Sequence, residues 1–162
     1  MRVLDTAALL HWPVERCRGG IVAISQQDEL LRVDEQRSLL MESASLNWQV
    51  PLETALQQAR EIASETGDLP RLSPVDLDVL ALAIDLNLPL VTDDYRMKNV
   101  ARKAGISVEG VLTSGGKKQW KWILRCIGCR AEEDVPPNAK QSKKDDVQLC
   151  DRCGSPMKLK KG

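Results

Sequence analysis

The chain has 162 residues, 43% hydrophobic and 28% charged, and its 23 basic and 23 acidic side chains cancel to a formal net charge of zero. That length admits one ordinary domain, or a modest domain plus a very small one, and the composition argues against a disordered, fibrous or membrane-embedded chain. The neutral total hides a division. Residues 1–114 carry 11 basic and 17 acidic side chains, a net of −6, whereas residues 115–162 carry 12 and 6, a net of +6. Such asymmetry points to two units with different tasks, so a neutral sum does not exclude a nucleic-acid partner.

In chain order, Val3-Leu4 reads as a first strand ending at Asp5-Thr6, with a helical turn through residues 7–10. An acid at position 5 with no long apolar run behind it is not a signal peptide. The longest fully apolar run, Val79 to Ile84, is far short of the roughly 20 residues that span a bilayer, so a cytoplasmic protein without a membrane partner is expected. Ile21 to Ile24 is a compact β-branched run suited to a buried strand, and Ser25 followed by Asp28 predicts a capped helix start. Helices are expected over 26–31 and 35–43, and a strand over 46–50.

Pro51 introduces a helix over 52–66, where Leu52, Ala55, Leu56, Ala59, Ile62 and Ala63 form one apolar face and Gly67 supplies the C-terminal cap. Ser73-Pro74 starts a second helix over 74–87 that is apolar nearly all round and therefore buried. A strand over 88–91 ends at Thr92-Asp93-Asp94, a helix over 95–104 ends at Gly105, and a last strand covers 106–111. Strands alternating with helices predict an α/β fold, a parallel sheet flanked by helices. The first unit should span residues 1–112, a basic linker 113–119, and a second small unit 120–162.

The second unit carries Cys126-x2-Cys129 and Cys150-x2-Cys153, 20 residues apart. Two such turns present four thiolates to one zinc ion, the spacing of a zinc ribbon. A closed four-cysteine shell leaves no open position, so this zinc should be structural, and a tail with so few large apolar residues needs it to fold. Cys17 has no evident partner and reads as a packed thiol.

Chemistry is sought instead among the acids. Asp5, Asp76 and the Asp93-Asp94 pair fall at strand C-termini and helix N-termini, the edge where parallel sheets bind ligands, and Glu29 lies one turn into the helix after Ile21 to Ile24. Each acid alone could serve as a helix cap. As a set they repel strongly, by on the order of 3 kcal/mol per pair at 5 Å and an effective dielectric near 20, and divalent metal relieves that repulsion. Hard carboxylate oxygens suit magnesium or manganese, which bind phosphate oxygens and activate water, so phosphodiester hydrolysis follows.

The series Val3-Leu4-Asp5-Thr6, Ser25 through Glu29, Gly67-Asp68, Leu72-Ser73-Pro74-Val75-Asp76, Val79 to Ala83 and Val91-Thr92-Asp93-Asp94-Tyr95 resembles the PIN-domain nucleases. With Asn99-Val100-Ala101 and the zinc ribbon, it is similar to the Nob family of ribosomal RNA maturation endonucleases in its short, archaeal form. The resemblance implies a PIN-like fold and cleavage of the 3′ end of precursor 16S rRNA within the small ribosomal subunit precursor, with magnesium or manganese. It makes Asp5, Glu29 and Asp76 three catalytic acids and takes the fourth from Asp93 or Asp94, with Asp5, Asp76 and Asp94 as metal ligands.

The basic ribbon would hold the RNA. Trp120 and Trp122 alternate with Lys121, so in a strand the two indoles share a face; with Lys117, Lys118, Arg125 and Arg130 they form a candidate surface for bases and phosphates. The competing role for the tryptophans is to pack the ribbon against the first unit. The competing functions are a non-catalytic RNA or pre-ribosome adaptor, and a PIN ribonuclease acting on tRNA or mRNA.

Overall fold

The computed structural model describes residues 1–113, 118–143 and 146–162. Five short parallel strands form the first sheet: β1 (Val3–Leu4), β2 (Ile21–Ala23), β3 (Asn47–Gln49), β4 (Leu90–Val91) and β5 (Val108–Glu109). Their order is β3-β2-β1-β4-β5. The chain thus winds outward in both directions from the centre, and the crevice at the C-terminal ends of β1 and β4 is the switch point where such sheets bind ligands. Burial explains the shortness and composition of the central strands: every residue of β1, β2 and β4 is buried, which suits apolar side chains on both faces.

The connections are helical: α1 (Thr6–His11) and α2 (Val14–Cys17), α3 (Gln26–Val33) and α4 (Glu35–Glu42), α5 (Glu53–Thr66) and α6 (Pro74–Leu86), and α7 (Tyr95–Lys103). α5 begins at Glu53 with Leu52 as its cap, and ends at Gly67 with φ 79°. α6 starts as its sequence predicts: the Ser73 hydroxyl accepts from the Asp76 N–H while the Asp76 carboxylate accepts from the Ser73 N–H. Leu77 and every residue of 79–83 are buried. Ser25 is a correction. Its backbone is already helical, so its side chain caps nothing and its hydroxyl donates instead to Asp78 on α6, 2.7 Å away. Cys17 is fully buried, as a packed thiol should be, with its sulfur 3.6 Å from the Ala8 carbonyl oxygen.

The second sheet is antiparallel, ordered β7-β6-β9-β8, from β6 (Trp122–Cys126), β7 (Glu132–Asp134), β8 (Asp146–Leu149) and β9 (Pro156–Lys161). It does not enclose a core of its own. Leu124, Cys126, Met157 and Leu159 belong to the same buried apolar cluster as Ala59, Ala63, Leu69 and Leu80 of the first unit. A small tail thereby gains the apolar burial that its own residues could not supply.

The close approach depends on Gly67. A Cβ there would overlap the Trp122 carbonyl, and its φ of +79° is one that L side chains rarely adopt. Gly67→Ala is therefore expected to destabilise the protein by about 2 kcal/mol or more in urea unfolding. A change within about 0.5 kcal/mol, the size of an ordinary surface substitution, would show that this contact does not hold the two sheets together.

Candidate active site

Asp5 ends β1 and caps α1. One of its oxygens accepts from the Thr6 N–H at 2.7 Å, and the other accepts from the Thr92 hydroxyl at 2.6 Å, across the crevice from β4. The residue is 8% exposed. Burial pushes its carboxyl up to about 7 despite these hydrogen bonds, and the charges of Asp76 and Asp94 push in the same direction.

Glu29, in the first turn of α3, accepts from the Thr6 hydroxyl at 2.5 Å and is thereby tied to the residue after Asp5. Gln26 fixes this corner from below. Wholly buried, it accepts from the Ala23 N–H and donates to the Leu4 carbonyl and the Thr6 hydroxyl. The Asp76 carboxyl is also raised, first by burial and further by Asp94 and Glu29. Asp5, Glu29, Asp76 and Asp94 thus act on one another through space, although they come from four separate segments.

The two acids after β4 part company. Asp94 caps α7, accepting from the N–H groups of Arg96 and Met97, and its charge is felt by both Asp5 and Asp76. Asp93 turns toward the loop after β5, where it accepts from the N–H groups of Val111, Leu112 and Thr113 and from the Thr113 hydroxyl. Lys98, almost fully buried, lies 3.9 Å away. Desolvation raises the Asp93 carboxyl, but these backbone and hydroxyl donors together outweigh it and hold the group below its ordinary value. Asp93 is a loop clamp, and Asp94 is the member of the cluster.

Among the described residues, Asp5, Asp76 and Asp94 form no ion pair with lysine or arginine; the neighbouring cations Arg96 and Lys98 pair with Asp68 and Asp93. Backbone N–H groups and the Thr92 hydroxyl are their hydrogen-bond donors, and carboxylate oxygens so arranged are the donor type that a hard divalent cation would fit. The only ligand atoms of three or more described Cys, His, Asp or Glu residues that all lie within 4.8 Å of one another are the four cysteine sulfurs.

Those sulfurs, on Cys126, Cys129, Cys150 and Cys153, are reduced and unpaired by disulfides. Cys126 and Cys153 sulfurs stand 3.3 Å apart and those of Cys129 and Cys150 3.6 Å apart, near the roughly 3.8 Å edge of a tetrahedron with 2.3 Å zinc–sulfur bonds. The N–H groups of Gly128 and Cys129 point at the Cys126 sulfur, as in a thiolate-stabilising knuckle.

Of the residues expected to meet RNA, Lys117 lies outside the described residues. Trp120 precedes β6 instead of lying in it, because the Asn99 amide holds both its N–H and its carbonyl. Both indoles nevertheless face Lys161, whose ammonium is 3.5 Å from the Trp120 ring centre and 5.9 Å from that of Trp122. Lys118 also approaches Trp120, at 5.8 Å. Trp122 packs against the shared core, so packing is its role. Lys121 and Arg125 pair with Asp134 and Glu132 of β7, while Arg130 is exposed. Such exposed pairs contribute little, so phosphate can displace them.

Sequence reasoning missed Thr6, Thr92 and Gln26, which orient the acids. A hydroxyl directly after a strand was a readable signal for the threonines, whereas a buried glutamine in a helix carried none. It also missed Asp68 and Asn99. Asp68 is fully buried, accepting from the Asn99 amide at 2.7 Å and pairing with Arg96 at 3.4 Å.

The parallel sheet ordered 3-2-1-4-5 with acids at its switch point is PIN-like, and residues 3–86 match the family model described as the PIN domain of ribonuclease, which makes this a PIN-type ribonuclease domain. Three comparisons extend this. The chain is 37% identical over 131 residues to Endoribonuclease Nob1 of Pyrococcus abyssi, covering 78% of this chain and 75% of that protein. It is 32% identical over 170 residues to Endoribonuclease Nob1 of Methanocaldococcus jannaschii, covering 99% and 77%. It is also 38% identical over 103 residues to Ribonuclease VapC1 of Thermoplasma acidophilum, covering 64% and 48%. The chain belongs to the Nob1 endoribonuclease family, a PIN domain followed by a four-cysteine unit. No helix among the described residues is long and apolar enough to cross a membrane.

The raised Asp5 carboxyl makes a signed prediction for protein without magnesium or manganese. Between about pH 4 and 7 the folded state holds a proton that the unfolded chain has released, so stability falls as pH rises through that window. Asp5→Asn, which cannot ionise, should flatten this slope and stabilise the protein at pH 8 by on the order of 3 kcal/mol. Urea unfolding at pH 5 and pH 8 measures both; an unchanged slope in the variant would contradict the assignment.

Proposed function

We propose that this chain is a metal-dependent endoribonuclease that trims the 3′ end of precursor 16S rRNA in the small ribosomal subunit precursor. Magnesium or manganese is held by Asp5, Asp76 and Asp94, and zinc by the four cysteines. The observation that carries this reading is the convergence at the switch point of Asp5, Asp76 and Asp94, whose charges reach one another and none of which is in an ion pair with a described lysine or arginine. In this reading Asp93 is a clamp, Lys117, Lys118, Trp120, Lys121, Arg125 and Arg130 meet the RNA, and Trp122 supports them from the core.

A bound divalent cation supplies Lewis-acid charge for the phosphate oxygens and for the attacking water. The chain's own residues do the rest. Thr92 and Thr6 fix the two oxygens of Asp5, and the capping interactions of α6 and α7 fix Asp76 and Asp94, so the carboxylates need little reorganisation when substrate arrives. In this reading Glu29, whose carboxylate accepts from the Thr6 hydroxyl, takes a proton from water. The ribbon lysines and arginines bind phosphates without reading bases. The second reading, a PIN ribonuclease acting on tRNA or mRNA, is compatible with the similarity to Ribonuclease VapC1, but that similarity covers 64% of the chain, against 99% for the Nob1 relative of M. jannaschii.

The test is incubation with a precursor spanning the 3′ end of 16S rRNA, with manganese, mapping the cut. Asp94→Asn should slow cleavage by about a hundredfold or more, with Asp93→Asn remaining within about tenfold of the parent. The reverse order, or equal losses, would reassign the fourth acid, and a parent protein that binds this RNA without cutting it would favour the adaptor.

Zinc removal should act on binding. Stripping the cysteines is expected to red-shift the emission of Trp120 and Trp122 and to weaken RNA affinity by about tenfold or more, both reversed by added zinc, while the helical circular-dichroism signal persists. Undiminished affinity in the stripped protein would remove the ribbon from the RNA-binding surface.

A further inference from the structure

Tyr95 opens α7 directly after Asp94 and leaves 44% of its surface in water. It caps nothing, and its hydroxyl makes no hydrogen bond to a described residue. Behind it lies a built support. The Trp122 ring centre is 6.5 Å away at an interplanar angle of 55°, and the Arg96 guanidinium lies 5.5 Å from the Tyr95 ring centre and 4.8 Å from that of Trp122. Arg96 is itself held by the buried Asp68 carboxylate, whose second oxygen takes the Asn99 amide.

The charge of Arg96 is therefore largely committed, and its plane serves to steady the two rings. A ring ordered in advance loses little freedom when a partner stacks on it. An exposed ring, neutral and rigid, next to a carboxylate cluster that handles a phosphodiester suits the π-face of an unpaired nucleobase better than it suits a phosphate. Arginine-supported aromatic stacking also joins the two units, because Tyr95 and Arg96 belong to α7 and Trp122 to β6.

We propose that Tyr95, backed by Arg96 and Trp122, is a stacking shelf for the base of a single-stranded nucleotide within two positions of the phosphate that is cut. The location of that phosphate rests on the nuclease reading; the shelf itself does not. Tyr95 is on this account a substrate-binding residue that favours unpaired RNA at the cut and accepts any base there.

The experiment scans 2-aminopurine through a short single-stranded RNA, bound to the zinc-loaded full-length chain without added magnesium or manganese. One position should be quenched on binding, with the quench kept in Tyr95→Phe, lost in Tyr95→Ala, and accompanied by about a tenfold loss of affinity in the alanine variant. With manganese, that position should lie within two nucleotides of the mapped cut, and Tyr95→Ala should raise KM with kcat within about twofold of the parent. An abasic nucleotide at the same position should weaken the parent and leave Tyr95→Ala unaffected. The absence of any position whose quench depends on Tyr95 overturns the shelf, and a quenched position far from the cut overturns its placement. A persistent quench in a protein that does not cut with manganese supports the shelf and counts against the nuclease reading alone.

Discussion

Asn99, wholly buried in α7, uses all four of its side-chain hydrogen-bonding positions at the junction of the two units. Its amide N–H groups reach Asp68 and the Trp120 carbonyl, and its oxygen accepts from the Trp120 N–H and the Gln119 amide. A buried amide left unpaired is costly, so these contacts form together and fix where β6 leaves the first unit. Trp122 then lies against Gly67, and Asp68 holds Arg96. Because the same helix is capped by Asp94, the position of the ribbon and the position of one site acid are set by a single rigid element.

That arrangement gives the site its electrostatic character. Asp5 is buried among other acids because β1 delivers it to the crevice and Thr92 and Thr6 hold it there. Its raised carboxyl reflects, first, burial and then the neighbouring charges of Asp76 and Asp94, an arrangement that the proposed divalent cation would relieve. The hydroxyls and the buried Gln26 prevent the acids from relaxing away from one another, trading stability for geometry.

Much of this was readable in the residues. The alternation of apolar strands and helices, the Ser73-Pro74 start of α6 and the Gly67 stop of α5 are local signals backed by local physics, and each appears where expected. The strands are shorter than their apolar runs, because Leu88 and Ile106 pack against the core outside the ladder and Pro89, which has no N–H, contributes only its carbonyl, to the Val3 N–H. Ser25 misled because a serine before a helix is a cap only if its own backbone is extended. Asp93 and Asp94 could not be told apart in the sequence, since which of two adjacent side chains turns inward depends on the loop after β5, 18 residues away.

By itself the sequence determined the chemistry available: four thiols at ribbon spacing, acids at strand ends, and a basic tail set against an acidic body. Those follow from residue type and spacing along the chain, which local rules govern. The tertiary structure decided how they combine. It merged the tail's apolar residues into the main core, committed Lys121 and Arg125 to ion pairs, turned Asp93 to the loop after β5 and left Asp94 near Asp5 and Asp76, and placed Tyr95 and Trp122 side by side. Each of these is a contact between residues distant in sequence, and its partner is fixed only when the whole chain has closed around the buried Asp68 and Asn99.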